Sequence, residues 1–156
     1  MNGFWQTPEG QQLRAAKLTE EADLQSWLAD QPGVLVQDHG GHAPEQWRGE
    51  VDGHNFSFRE RENEWDIEIR LRPSGRSTRV VDGPNDDATT GYRLKDIIEG
   101  AVIATGKTGA EGYSANPQER AAFIVTTIRD YLRRERVDEV GKLVAERSAE
   151  LNYRLS

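Results

Sequence analysis

The stretch that decides the fold is residues 47–71, WRGEVDGHNFSFRERENEWDIEIRL. Asp52-Gly53 is a strong signal for a two-residue hairpin. Pairing across it sets Val51 opposite His54, Gly49 opposite Phe56 and Trp47 opposite Phe58. A second connection around Glu62-Asn63 sets Phe58 opposite Ile67 and Phe56 opposite Ile69. Both registers put Trp47, Val51, Phe56, Phe58, Trp65, Ile67, Ile69 and Leu71 on one face. The other face then pairs Arg59 with Asp66, Arg61 with Glu64 and Asn55 with Arg70, as cross-strand ion and polar pairs. The ring of Phe56 would cover Gly49, which compensates a glycine in a strand.

Outward from this block, Pro73-Ser74-Gly75 reads as a turn into a fourth strand, Arg76 to Val81. A polar loop over Asp82-Gly83-Pro84-Asn85-Asp86-Asp87 follows. Tyr92 to Ile98 and Ala101 to Thr105 read as a last hairpin around Glu99-Gly100, before a glycine-rich linker from Gly106 to Ala115. On the N-terminal side the chain reads as two helical stretches. Thr7-Pro8-Glu9 opens the first, in which Gly10 is a weak point. Thr19 caps the second, Glu20 and Glu21 meet its dipole, and Leu24, Trp27 and Leu28 form a stripe that Gln31-Pro32-Gly33 ends.

At the other end Asn116-Pro117-Gln118-Glu119 opens the best helix of the chain, residues 117–136. Ala121, Ile124, Val125, Ile128, Tyr131 and Leu132 give it an apolar stripe wide enough for one face of a sheet. Arg133, Arg134 and Arg136 suit its negative end. A further helical segment runs from Asp138 to about Asn152 with Val140, Leu143, Val144 and Leu151. The expected architecture is α+β: an antiparallel meander of five or six strands, with N-terminal helices and a long C-terminal helix packed on one face. Residues 1–137 form the domain, and 138–156 a helical tail or association segment. In layout this order resembles small acidic secretion-chaperone-like domains, which implies a dimeric protein-binding module.

Composition narrows the function. The 156 residues carry a net charge of −7 and no cysteine, which excludes disulfides, thiolate metal sites and a cysteine nucleophile. No apolar run approaches the ~18 residues of a membrane span, and the N-terminus lacks the pattern of a signal peptide. A cytoplasmic protein is expected. The charge is uneven: −6 over residues 1–58, +1 over 59–81, −4 over 82–119 and +2 over 120–156. An acidic whole argues against nucleic acid and membrane as partners, and its acidic front and basic back suit self-association or a basic partner.

The chemical candidates are few. Asp38, His39 and His42, with Glu45 close in sequence and His54 brought near by strand pairing, could ligate a divalent metal. The Gly40-Gly41 turn does not by itself enforce the three-ligand geometry a catalytic zinc needs. Asp82, Asn85, Asp86 and Asp87 offer oxygens to calcium without the spacing of a known loop. Gly106-Lys107-Thr108 ends like a phosphate-binding loop, but five residues rather than four separate Gly100 from Gly106. Glu50, Asp66 and Glu68 share the polar face with arginines, which lower a carboxylate pKa rather than raise it for acid catalysis. Arg59, Arg61, Arg70, Arg72, Arg76 and Arg79 could form a surface for an anionic ligand. No serine stands in a nucleophile context, and no cofactor is expected. The balance leans away from an enzyme and toward a protein-interaction domain (adaptor, chaperone-like or inhibitor protein) that self-associates as a homodimer. Its rivals are a metal-dependent enzyme at the histidines and an anionic-ligand or nucleic-acid-associated protein at the arginines.

Overall fold

A computed structural model describes residues 3–41, 44–84, 90–109 and 116–155. Its elements are a 3-10 turn at Phe4–Gln6, helix α1 at Pro8–Ala29, strands β1 (Val34–Gly40), β2 (Glu45–Val51), β3 (His54–Arg61), β4 (Glu64–Pro84) and β5 (Thr90–Lys107), and helix α2 at Pro117–Arg154. The class is α+β. The five strands form one antiparallel sheet in the order β1-β2-β3-β4-β5. The chain divides into two compact units, one of residues 1–35 and 107–156 and the other of residues 36–106.

In the sheet unit both hairpins have the expected register. Trp47 faces Phe58, Gly49 faces Phe56 and Val51 faces His54, while Phe58 faces Ile67 and Phe56 faces Ile69. The turns explain why. Asp52 and Gly53 have φ of 49° and 81°, and Glu62 and Asn63 have 55° and 67°. Two successive left-handed residues are what the favoured two-residue hairpin turn demands, because its twist matches that of the strands. Trp47, Val51, Phe56, Phe58, Ile67 and Ile69 are all but inaccessible to solvent, and Trp65 is buried. On the opposite face Arg59 approaches Asp66 at 3.9 Å and Glu68 at 3.8 Å. Arg61 faces Glu64 in the ladder but its ion pair is with Glu62, at 3.5 Å.

The register stops at Arg70. This residue has φ of 57°, a conformation costly for a side chain larger than glycine. The pairing expected between Asn55 and Arg70 is replaced by another. The Asn55 amide accepts from the Leu71 N–H at 2.7 Å and donates to the Leu71 carbonyl at 3.0 Å. A side-chain amide thus stands in for a ladder partner, and the irregularity behaves as a β-bulge. Leu71 is accordingly not on the apolar face: it lines a shallow hollow on the polar one with Arg48, Arg59 and Glu68.

Beyond the bulge the expected turns are absent. β4 runs straight through Pro73-Ser74-Gly75, and β5 straight through Glu99-Gly100, so four short strands become two long ones. β3 begins at His54, and past it, among the described residues, β4 has only β5 as a strand neighbour. Residues 72–84 and 90–99 therefore form a two-stranded ribbon. Consecutive residues from Arg76 to Arg79 and from Tyr92 to Asp96 are exposed, on both faces.

The helical unit also joins what sequence separates. Thr7 caps α1 by accepting from the Gly10 N–H at 3.1 Å. Thr19 does not start a second helix: its hydroxyl donates to the Ala15 carbonyl at 3.0 Å inside a continuous one, the way a mid-helix threonine satisfies itself. Gly10 is a requirement rather than a weakness, because a Cβ there would collide with the backbone carbonyl of Phe4 in the 3-10 turn. α1 packs against α2. Asn116 caps α2, accepting from the Gln118 N–H at 2.9 Å and the Glu119 N–H at 3.5 Å. Ala121, Ile124, Val125, Ile128 and Leu132 are buried, as is Leu24 of α1, whereas Tyr131 is half-buried. The Arg129 guanidinium donates to the Pro32 carbonyl at 2.7 Å and ties α2 to the end of α1. Arg133, Arg134 and Arg136 are not at a helix terminus, since α2 continues to Arg154. Arg133 instead pairs with Asp130 at 3.1 Å.

Candidate functional site

Three regions collect the chemistry and the spare surface. The first holds the histidines. His39, on β1, stacks on the buried Trp47 of β2 with ring centroids 4.6 Å apart and planes at 27°. The indole N–H of Trp47 donates to the Glu45 carboxylate at 2.8 Å. His39 and Glu45 thus both engage one tryptophan. Asp38 and His39 also line an open hollow with Gly40, Gly41, Pro44 and Gln46. His54 opens β3 opposite Val51, four residues further along β2 from Trp47, which is ~13 Å of strand. His42 lies outside the described residues, as do Asn85, Asp86 and Asp87 of the acidic loop. Among the described residues no three His, Cys, Asp or Glu side chains gather where they could hold a metal ion.

The second region holds the arginines. Arg59 is shared between Asp66 and Glu68, Arg61 lies by Glu62, and Arg76 pairs with Glu99 across the ribbon. These charges are balanced locally, and such exposed pairs contribute little stability. Arg79 is exposed farther along β4. Arg70 and Arg72 line a single hollow of about 440 Å³ with Ser74, Glu99 and Gly100. Nothing in the residue pattern announces this subset. It depends on the bulge, and an arginine in left-handed conformation has no signature in sequence.

The third region is the last half of α2. Every described residue from Arg136 to Leu155 is exposed, although Val137, Val140, Val144, Leu151 and Leu155 recur at helical spacing. At ~100° per residue these five fall within an arc of roughly 60°. That arc is rotated by more than a third of a turn, roughly 140°, from the buried stripe of the first half. Leu143 stands roughly 60° beyond its edge, with Arg147 and Arg154 between.

Burial lowers the pKa of Arg120, in the first turn of α2. No helix among the described residues is long and apolar enough to cross a membrane. The chain matches no protein-family model, no curated protein and no solved structure.

Proposed function

We propose that the protein is a non-enzymatic protein-interaction module that self-associates through the exposed half of α2. The observation that supports this most is the stripe Val137, Val140, Val144, Leu151 and Leu155, whose members are between 59% and 85% exposed. Fully burying one such side chain is favourable by roughly 1.5–3 kcal/mol. A helix of 38 residues whose first half is buried along one stripe, and whose second half carries another, offers that second stripe to a further chain.

A second copy fits the pattern of the seam. Read as a heptad, its inward positions are Val137, Val140, Val144, Arg147, Leu151 and Arg154. In a parallel pair Arg147 would face its own copy, and so would Arg154. An antiparallel pair sets Val140 against Leu151, Val144 against Arg147 and Val137 against Arg154, so the arginine stems lie along valines and like charges separate. Sedimentation of the full chain at micromolar concentration should therefore give a dimer. Residues 1–136 should sediment as a monomer with an unchanged unfolding midpoint, since the buried residues of α2 end at Leu132. A full chain that is strictly monomeric, and indifferent to that truncation, would refute the reading.

A further inference from the structure

The strands of the sheet differ in how their open edges are protected. β1 is seven residues long. β4, past its border with β3, carries the bulge at Arg70 and then Pro73, both of which keep a strand edge from pairing with another chain. β5 has neither protection. It runs for 18 residues without a proline, and among the described residues no strand lies beyond it. The Gly100 N–H is aimed back at β4, where Glu68 accepts it at 3.0 Å. Backbone groups alternate sides along an antiparallel strand, so the N–H groups of Glu99 and Ala101 are turned to the open edge. The same strand carries an apolar row. Tyr92, Leu94, Ile98 and Val102 are all exposed, and at even positions they share one face. Ile98 places that face on the polar side of the sheet, where it lines the shallow hollow with Arg48, Arg59 and Glu68.

We propose that β5 pairs antiparallel with β5 of a second copy, about a two-fold axis at Ile97, so that one sheet continues across two chains. This is an interface beyond the one on α2. The register sets Lys95 against Glu99 twice, Tyr92 against Val102 twice, Leu94 against Gly100 and Ile97 against itself. Opposite charges and apolar pairs directly across two strands are favourable. Among the described residues Lys95 has no carboxylate partner in its own chain. Glu99 also meets Arg76, and a carboxylate accepts from more than one donor. Asp96 falls opposite Ile98 and keeps its carboxylate at the solvent side of the row. Moving the axis to Asp96 opposes that residue to itself, and moving it to Ile98 leaves Lys95 against Ala101. An axis at Ile103 matches Glu99 with Lys107 but leaves Tyr92 and Leu94 uncovered. One strand against one strand is a small contact, at the transient end below about 1,200 Å². It therefore forms at higher concentration than the α2 pair and joins α2 dimers to one another, since each contact is self-complementary.

The test is sedimentation equilibrium of the full chain at about 10 µM and about 500 µM, on either side of a Kd on the order of 100 µM. The weight-average mass should rise about 1.5-fold or more between the two. Val102→Lys sets a charge against Tyr92 and should abolish the rise. Lys95→Glu opposes two carboxylates and should weaken it. Both positions are exposed, so an unchanged unfolding midpoint separates lost pairing from lost fold. The chain has no cysteine, which lets single cysteines report the register. Ile97→Cys should oxidise to a covalent dimer at the higher concentration, and Leu94→Cys, about 20 Å from its own copy in this register, should not. A mass that does not rise overturns the inference. So does a rise insensitive to both Val102→Lys and Lys95→Glu, or cross-linking as ready at Leu94→Cys as at Ile97→Cys. The state at 10 µM reports on α2 and the rise above it on β5, so either interface can fail without the other.

Discussion

Strand β4 passes through two environments, and the contrast between them is the most instructive feature of the molecule. Up to Ile69 it lies between β3 and β5, and its alternate residues Ile67 and Ile69 are fully buried. Past Arg70 it keeps β5 but loses β3, and the same alternation no longer separates an inside from an outside. Tyr92 and Leu94 of the ribbon are 65% and 73% exposed. Helix α2 repeats the contrast: Ile124 and Ile128 are buried, while Leu143 and Val144, on the same helix, are not. Local pattern makes strands and helices, but a third neighbour makes a core.

This comparison can be broken most decisively by truncating one residue on each side of it. Phe58→Ala should cost about 3–5 kcal/mol, read from denaturant unfolding, while Leu94→Ala should change stability by no more than about 0.5 kcal/mol. Equal losses would mean that the ribbon is buried in solution. A second pair uses one substitution with opposite expected signs. Gly10→Ala, which helix propensity alone would favour, should destabilise by about 1–3 kcal/mol because the new methyl meets the Phe4 carbonyl. Displacement of the 3-10 turn should register in the fluorescence of neighbouring Trp5. Gly141→Ala, with open space around its Cβ, should instead raise helicity by circular dichroism, by up to about 1 kcal/mol of helix stability.

The bulge itself can be sharpened as the border between the two environments. Asn55→Ala removes both bonds to Leu71 and should cost about 1–2 kcal/mol. Adding Arg70→Gly should restore about 1 kcal/mol of that by relieving the left-handed arginine, a recovery checked by a double-mutant cycle. The smallest effect expected is at the start of α2, where Asn116→Ala should cost about 1 kcal/mol through loss of the cap, measured as a shift in thermal midpoint.

How much of this was legible beforehand divides along the same border. Both hairpins could be read to the residue as far as Ile69, because Asp52-Gly53 and Glu62-Asn63 each join strands whose alternation admits one register. The helix starts at Thr7 and Asn116 were readable from their caps. The expected helix and strand interruptions are absent, since Thr19, Pro73-Ser74-Gly75 and Glu99-Gly100 are turn or cap residues by type that the fold accommodates inside elements. Of the candidate sites, the histidine cluster could be named but not assembled: His39 is engaged by Trp47, and His54 starts a strand farther along. Six arginines could be named as a group, yet which of them share a hollow could not.

Sequence alone therefore determined the α+β class, the register of the central hairpins and the inward set from Trp47 to Ile69. Those follow from turn chemistry and a period of two, both properties of neighbours along the chain. Tertiary structure alone decided that Leu71 faces the polar side, that Gly10 has no room for a methyl, and that Arg70 and Arg72 meet at one hollow. Each of these depends on atoms brought together from different strands or turns, such as the Asn55 amide reaching Leu71 sixteen residues away, and nothing in local alternation encodes such a meeting.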